Sequence, residues 1–192
     1  MRIRSYSVIT TYALALLAAA AQSTPKPTPS PEPLNSEQIS IYRAFLTDYL
    51  AGPKITLNVA QTTAPFEASD DDLSDCMKTF TKSNAQSTVV HKFSKDALPA
   101  DTVRFVDPEK HTISDPGTAI RQGQSVDNAV NAGFKAALFT FSEIVFDDTH
   151  THAAFTYSFH CGSLCGHGGT VVFIKVRGIW KRSKANCGSW IS

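Results

Sequence analysis

The alternation of apolar and polar side chains over residues 151–161 constrains the fold of this chain more than any other feature. Successive side chains of a strand point to opposite faces, so the pattern predicts a β-strand with two unlike faces. One face carries Ala153, Phe155, Tyr157, Phe159 and Cys161. The other carries His152, Ala154, Thr156, Ser158 and His160. We expect the first face to pack on a core and the second to be wet, as in antiparallel sheets.

Neighbouring segments predict that this strand belongs to a C-terminal antiparallel β-meander. Residues 137–147, 170–177 and 179–186 have β-like patterns, and the turns at 147–150 and around Gly178 are short enough to join neighbours directly. The meander therefore occupies the last third of the chain.

The preceding part predicts mainly helices. Apolar periodicity and capping residues indicate helices over residues 36–51, 69–80, 88–98 and 125–135. Strands are predicted over 54–62 and 103–106, and residues 107–124 are predicted to be a loop. Helices followed by an antiparallel meander indicate an α+β domain, with a layout similar to cystatin-like and nuclear-transport-factor-like folds.

The N-terminus has the three-part pattern of a cleaved signal peptide over residues 1–21. Arg2 and Arg4 precede an apolar run over residues 8–20, and residues 19–21 are three alanines. The run is shorter than the ~20 apolar residues that span a bilayer, so we expect cleavage and no membrane span afterwards. Export to the periplasm or the medium follows.

Residues 22–34 are rich in Pro, Ser and Thr and predict an extended linker, followed by a single domain over 35–192. The sequence has 18 Lys+Arg and 17 Asp+Glu. Loss of the two signal-peptide arginines leaves 16 against 17, a net charge near −1. This balance argues against a nucleic-acid partner and leaves an unknown protein or small molecule as the expected ligand.

The four cysteines predict two disulfides in an exported chain. Four cysteines allow three pairings. The pairing that we favour joins Cys161 to Cys165, which are four residues apart in a glycine-rich connection, and Cys76 to Cys187. The first bridge would shape the loop, and the second would hold helix 69–80 to the end of the sheet.

The same connection also allows a metal-handling or thiol-redox function. His160, Cys161, Cys165 and His167 are all ligand types for zinc or copper. Eight contiguous residues rarely surround a tetrahedral ion, and an oxidised cysteine pair would remove two ligands. Redox motifs usually place two residues between the cysteines, at a helix N-terminus, whereas this chain has three. We therefore expect no metal and no cofactor, and keep both functions as alternatives.

Two acidic clusters have structural explanations as well as metal-binding ones. Residues 70–72 are three aspartates directly after Ser69, which is typical of a helix N-terminus. His150 and His152 lie close to Asp147 and Asp148 and could form a two-histidine site. A polar turn is the more common arrangement for such residues.

The last third resembles an uncharacterised family of exported bacterial proteins. The motifs that carry the resemblance are Ser142-Glu-Ile-Val-Phe-Asp147, Ala153, Cys161-Gly-x-Leu-Cys165-Gly-x-Gly-Gly169, Val-Phe-Ile-Lys175, Gly178-x-Trp180 and Trp190-Ile-Ser192. The resemblance covers residues 137–192 and implies an exported origin without implying a reaction. The sequence predicts a binding or structural module of the cell envelope rather than an enzyme. It would use the glycine-rich cysteine loop or the open face of the sheet, and its catalytic residues, if any, are unknown.

Overall fold

A curved, mixed β-sheet organises the computed structural model, which describes residues 31–52, 55–163, 165–185 and 187–192. The predicted signal peptide and most of the predicted linker lie outside the described residues. The described helices are α1 (Ser36–Tyr49), α2 (Asp70–Asp75), α3 (Pro116–Arg121) and α4 (Val126–Ala136). None of these helices is long and apolar enough to cross a membrane.

The described strands run from the end of the predicted linker to the C-terminus. They are β1 (Glu32–Pro33), β2 (Leu57–Ala60), β3 (Phe66–Glu67), β4 (Gln86–Ser87), β5 (His91–Lys92), β6 (Val103–Val106), β7 (Leu138–Phe141), β8 (Val145–Phe146), β9 (His152–His160), β10 (Gly166–Val176), β11 (Ile179–Arg182) and β12 (Ser189–Ile191). Helices and a strand-rich sheet make the domain α+β, as predicted.

The main sheet has the order β11-β10-β9-β7-β2-β6, with β12 added to β10 and β8 added to β9. Strands β9, β10 and β11 are antiparallel neighbours as predicted, and the predicted strand 137–147 is divided into β7 and β8, which both pair antiparallel with β9. Strand β2 instead pairs in parallel with both β6 and β7, so the sheet is mixed. Long connections separate β2 from both partners in sequence, and such connections allow parallel pairing.

Helix α1 covers the inner face of this sheet. Asn35 caps it, and a capping box with Gln38 satisfies backbone donors at its start. Its apolar stripe packs on strand residues that alternate inward, which buries a large aromatic cluster. The largest of the buried aromatic residues are Tyr42, Phe45, Phe139, Phe141, Phe155 and Phe173.

A smaller apolar cluster covers part of the outer face, beneath α2 and the chain that follows it. Its buried members are Phe66, Met77, Phe80, Ala85, Val145, Ala154 and Val172. The prediction that this whole face of β9 is wet is therefore wrong at Ala154, which is fully buried. The sequence alternation shows which residues share a face, but not what packs on that face.

Several local predictions differ from the structure. Residues 88–98 contain β5 rather than a helix, because the Phe93 amide and the His91 carbonyl bond to residues 61–63 of a neighbouring segment. The predicted loop 107–124 contains α3, which Asp115 caps and Pro116 begins. Helix α2 ends at Asp75, five residues earlier than predicted.

The end of the predicted linker is also part of the fold. Glu32 and Pro33 pair with β5, and Leu34 is buried in the inner cluster.

Candidate functional site

A groove on the uncovered part of the outer face has a volume of about 510 Å³. We call it the outer groove. Its lining residues are Ala64, Asp72, Thr140, Ser142, Thr156, Tyr157, Ser158, Gly169, Thr170, Gly188, Ser189 and Trp190. Hydroxyl side chains dominate this set.

The hydroxyl-bearing floor follows directly from strand alternation and register. Thr156 lies opposite Thr170 on β10, and Ser158 lies opposite Thr140 on β7. Directly opposed residues of antiparallel strands project to the same face, so the four side chains form one continuous polar surface. This is the face of β9 that the sequence predicts to be polar.

Trp190 forms one side of the outer groove because glycines leave space for its ring. It pairs with Gly168 across β10 and β12, and a Cβ atom on Gly168 would lie 2.8 Å from the indole Nε1. A Cβ atom on Gly166 would lie 3.3 Å from the same ring. The indole therefore rests on the glycine backbone, and the residue is still 39% exposed. The sequence predicts that Gly166 and Gly168 lie in a loop, but both belong to β10. There their lack of side chains makes room for the Trp190 ring.

Asp72 also lines the outer groove. Ser69 caps α2 as predicted, and its Oγ accepts a hydrogen bond from the Asp72 amide. The Asp72 carboxylate is mostly buried and accepts bonds from the Thr170 hydroxyl (2.9 Å) and the Gly188 amide (3.2 Å). One of the three aspartates at the start of α2 thus also attaches the helix to the sheet. The sequence does not predict this role, because its partners Thr170 and Gly188 are distant in sequence.

Both predicted cysteine pairs lie at disulfide distance. The Cα atoms are 5.2 Å apart for Cys76 and Cys187, and 5.0 Å apart for Cys161 and Cys165. The first pair joins the segment after α2 to the chain before β12, beside the outer groove. The second closes the connection between β9 and β10, where the Cys161 amide donates to the Cys165 carbonyl (2.8 Å).

The cysteine connection is anchored to α3. Asp115 accepts hydrogen bonds from the Ser163 amide (2.6 Å) and the Ser163 hydroxyl (2.8 Å). These bonds, with those from Thr118, hold the pKa of the Asp115 carboxyl well below its ordinary value. Gly162 adopts a φ of 135°, a conformation that L side chains rarely reach. The connection is therefore a tethered turn that positions β10.

The structure does not bring the four predicted metal-ligand residues together. His160 packs against Trp190 on the outer face, with ring centroids 5.1 Å apart. His167 lies on the inner face, with its Nε2 atom 2.8 Å from the Tyr49 hydroxyl, and burial lowers its pKa. Within the residues that the structure describes, no group of three His, Cys, Asp or Glu side chains could hold a metal ion.

The histidines near Asp147 belong to a hydrogen-bonded turn. The His152 Nδ1 atom lies 3.0 Å from the Asp147 carboxylate. Burial alone would raise the pKa of Asp147, but bonds from His152, Thr149 and Thr151 outweigh it and lower the pKa to about 2. Asp148 instead accepts a bond from an asparagine amide. The arrangement is the polar turn expected from the sequence.

His150 takes part in a separate ion-pair cluster around Glu37 of α1. The Glu37 carboxylate lies 2.7 Å from the Lys175 Nζ atom and 2.9 Å from the His150 Nε2 atom, and it accepts a bond from the Trp180 indole (3.0 Å). The bonds from Lys175 and His150 lower the pKa of Glu37 to about 2. The cluster fastens the start of α1 to the strands at the sheet's edge.

Glu143 is a buried carboxylate that sequence reasoning did not single out as a site residue. It is 2% exposed and accepts hydrogen bonds from the Thr63 hydroxyl and the His91 amide. The His91 Nδ1 atom lies 2.9 Å from its second oxygen, without hydrogen-bond geometry. An isolated acid within a strand pattern predicts a solvated side chain, so no local signal indicated this burial.

Comparisons of the chain with protein-family models, with curated proteins and with solved structures give no match in any of the three. The geometry of the outer groove is therefore the basis for a functional argument.

Proposed function

We propose that the protein is an exported binding module whose outer groove holds a hydroxyl-rich ligand, with a saccharide as the ligand class. The observation that carries the proposal is the position of Trp190, whose ring lies against glycine backbone beside a floor of Ser and Thr hydroxyls. A saccharide has an apolar C–H face and a rim of hydroxyls, and this groove offers a partner for each.

The residue types of the groove favour such a ligand. An exposed indole supplies a flat apolar face with a polar N–H at its edge. The hydroxyls of Thr156 and Ser158 can each donate and accept, as ligand hydroxyls do. A volume of about 510 Å³ lies within the range of small-molecule sites.

The same groove favours binding over turnover. Glycoside hydrolysis ordinarily uses two carboxyl groups on either side of the scissile bond. Asp72 is the one carboxylate among the described residues that line the groove. Both of its oxygens already accept bonds from Thr170 and Gly188, which gives it a structural role.

The proposed place of action is the periplasm or the extracellular medium. The signal-peptide pattern at residues 1–21, the two cysteine pairs and the resemblance to exported bacterial proteins support this compartment. A helix over a curved sheet supports the similarity to cystatin-like and nuclear-transport-factor-like layouts at the level of fold analogy.

The test is a binding screen of the oxidised protein against a glycan array, followed by calorimetry with each hit. We expect Trp190→Ala to weaken binding tenfold or more, because the stacking surface is removed. Ile191→Ala is the matched control, because Ile191 is the next residue of β12 and is 88% exposed. Absence of any hit, or equal binding by the Trp190→Ala variant, would overturn the proposal.

A further inference from the structure

A second groove lies toward the β6 end of the sheet, where α4 and residues of β2, β6, β7 and β9 line it. It has a volume of about 650 Å³, and we call it the end groove. Its apolar residues include Ile55, Leu57, Phe134, Phe139 and Phe159. Nothing in the proposed saccharide function uses it, and it shares no lining residue with the outer groove.

Two apolar side chains of the end groove are exposed to solvent, whereas Leu57, Phe139 and Phe159 are buried beneath them. Ile55 is 45% exposed and Phe134 is 53% exposed, although both are large apolar side chains. Phe134 stacks on Phe159 with ring centroids 5.9 Å apart, so the ring is held in place. Exposed apolar surface within a concave site is typical of ligand binding.

The charged side chains that line the end groove are both cationic. Arg104 and Lys135 line it, and no carboxylate is among its described lining residues. Two cations beside an apolar wall complement a ligand that has one anionic end and one apolar end.

Arg104 is held in a fixed orientation by a buried amide. Its Nε atom donates to Asn58 Oδ1 (2.9 Å), and its Nη2 atom bonds to the same oxygen. Asn58 is 3% exposed, and its Nδ2 atom donates to the Lys135 and Ala137 carbonyls (2.9 Å each). The side chain that orients Arg104 is therefore itself fixed on both sides. Among the described residues, only the Nε and Nη2 atoms of the Arg104 guanidinium have hydrogen-bond partners, so its Nη1 group can donate to a ligand.

We propose that the end groove binds an aliphatic monocarboxylate, such as a medium-chain fatty acid. The carboxylate accepts hydrogen bonds from Arg104, whose planar guanidinium is suited to that group. The alkyl chain lies against Phe134 and Ile55. Orientation of the guanidinium before binding reduces the ordering cost of the complex.

Calorimetry with three probes tests the ligand class. Decanoate has both the charge and the chain, decanol has the chain alone, and acetate has the charge alone. We expect decanoate to bind at least tenfold more tightly than decanol, since only the carboxylate can form charge-assisted hydrogen bonds with Arg104. Acetate should not bind measurably. Equal binding of decanoate and decanol, or binding of acetate alone, would overturn the proposal.

Four variants locate the site. Arg104→Gln should weaken decanoate binding about tenfold and leave decanol binding unchanged, and Arg104→Lys should fall between Gln and the wild type. Phe134→Ala should weaken both probes, and Trp190→Ala should affect neither. Each variant is first checked for an unchanged thermal unfolding midpoint. A correctly folded Arg104→Gln protein that binds decanoate normally would contradict the assignment, whatever the outcome of the saccharide screen.

Discussion

The two faces of the main sheet are built in different ways. The inner face buries 22 residues in one continuous cluster beneath α1, whereas the cluster on the outer face has seven. Among the described residues, no disulfide joins α1 to the sheet. The outer cover is joined to the end of the sheet by the bond between Cys76 and Cys187 and by the Asp72 carboxylate.

This difference shows how one sheet can serve both stability and binding. The inner face is covered completely enough to bury a large aromatic cluster, and this burial stabilises the fold. The outer face is only partly covered, and the uncovered part remains available to a ligand. A crosslink holds the smaller cover in place where apolar burial is limited.

The largest expected effect is loss of the long-range disulfide. A Cys76→Ser/Cys187→Ser variant should lose nearly 5 kcal/mol of unfolding free energy, because the bridge closes a loop with a sequence separation of 111 residues. The matched variant, Cys161→Ser/Cys165→Ser, should lose about 2 kcal/mol, because its separation is four residues. Urea unfolding of both variants measures the difference. A loss below about 2 kcal/mol for Cys76→Ser/Cys187→Ser would mean that the outer cover does not depend on its crosslink.

The next effect compares adjacent residues on opposite faces of β9. Phe155→Ala should lose about 3–5 kcal/mol, because Phe155 is fully buried among inner aromatic rings. Thr156→Ala should change stability by less than about 0.5 kcal/mol, because its side chain lines the open groove. Urea unfolding gives both values. Similar losses for the two variants would contradict the division between a packed face and an open one.

The smallest expected effect is a loss of unfolding free energy at acid pH. It arises from Glu37, which attaches α1 to the sheet. The pKa of Glu37 falls from about 4.5 to about 2 on folding. A carboxylate with a lowered folded pKa stabilises the protein above its unfolded pKa, and this contribution is lost as the pH falls from about 4.5 to 2. Because the side chain is 32% exposed, we expect about 1–2 kcal/mol rather than the full linkage value.

The measurement for Glu37 is unfolding free energy against pH for the wild type and Glu37→Gln. The variant should be less stable at pH 6, and the two curves should converge near pH 2. Parallel curves over this range would show that Glu37 does not contribute through its charge.

Local features of the sequence were sufficient for some elements. The cap at Asn35 and the stripe of α1 are contained in consecutive residues, and so is the alternation of β9. The favoured cysteine pairing is also confirmed, because the four-residue spacing of Cys161 and Cys165 within one connection favours it among three possible pairings. Residues 88–98 were misassigned because their backbone bonds to β-segments that are distant in sequence.

The sequence by itself determined the α+β class, the inward and outward residues of the meander and the separation of the cysteines. Periodicity and capping depend on neighbours within a few positions, so one chain is enough to read them. Only the tertiary structure decided that Gly168 seats Trp190, that Asp72 braces the groove and that Glu143 is buried. Each of these roles depends on a contact between groups that are far apart in the sequence, and no local pattern specifies such a contact.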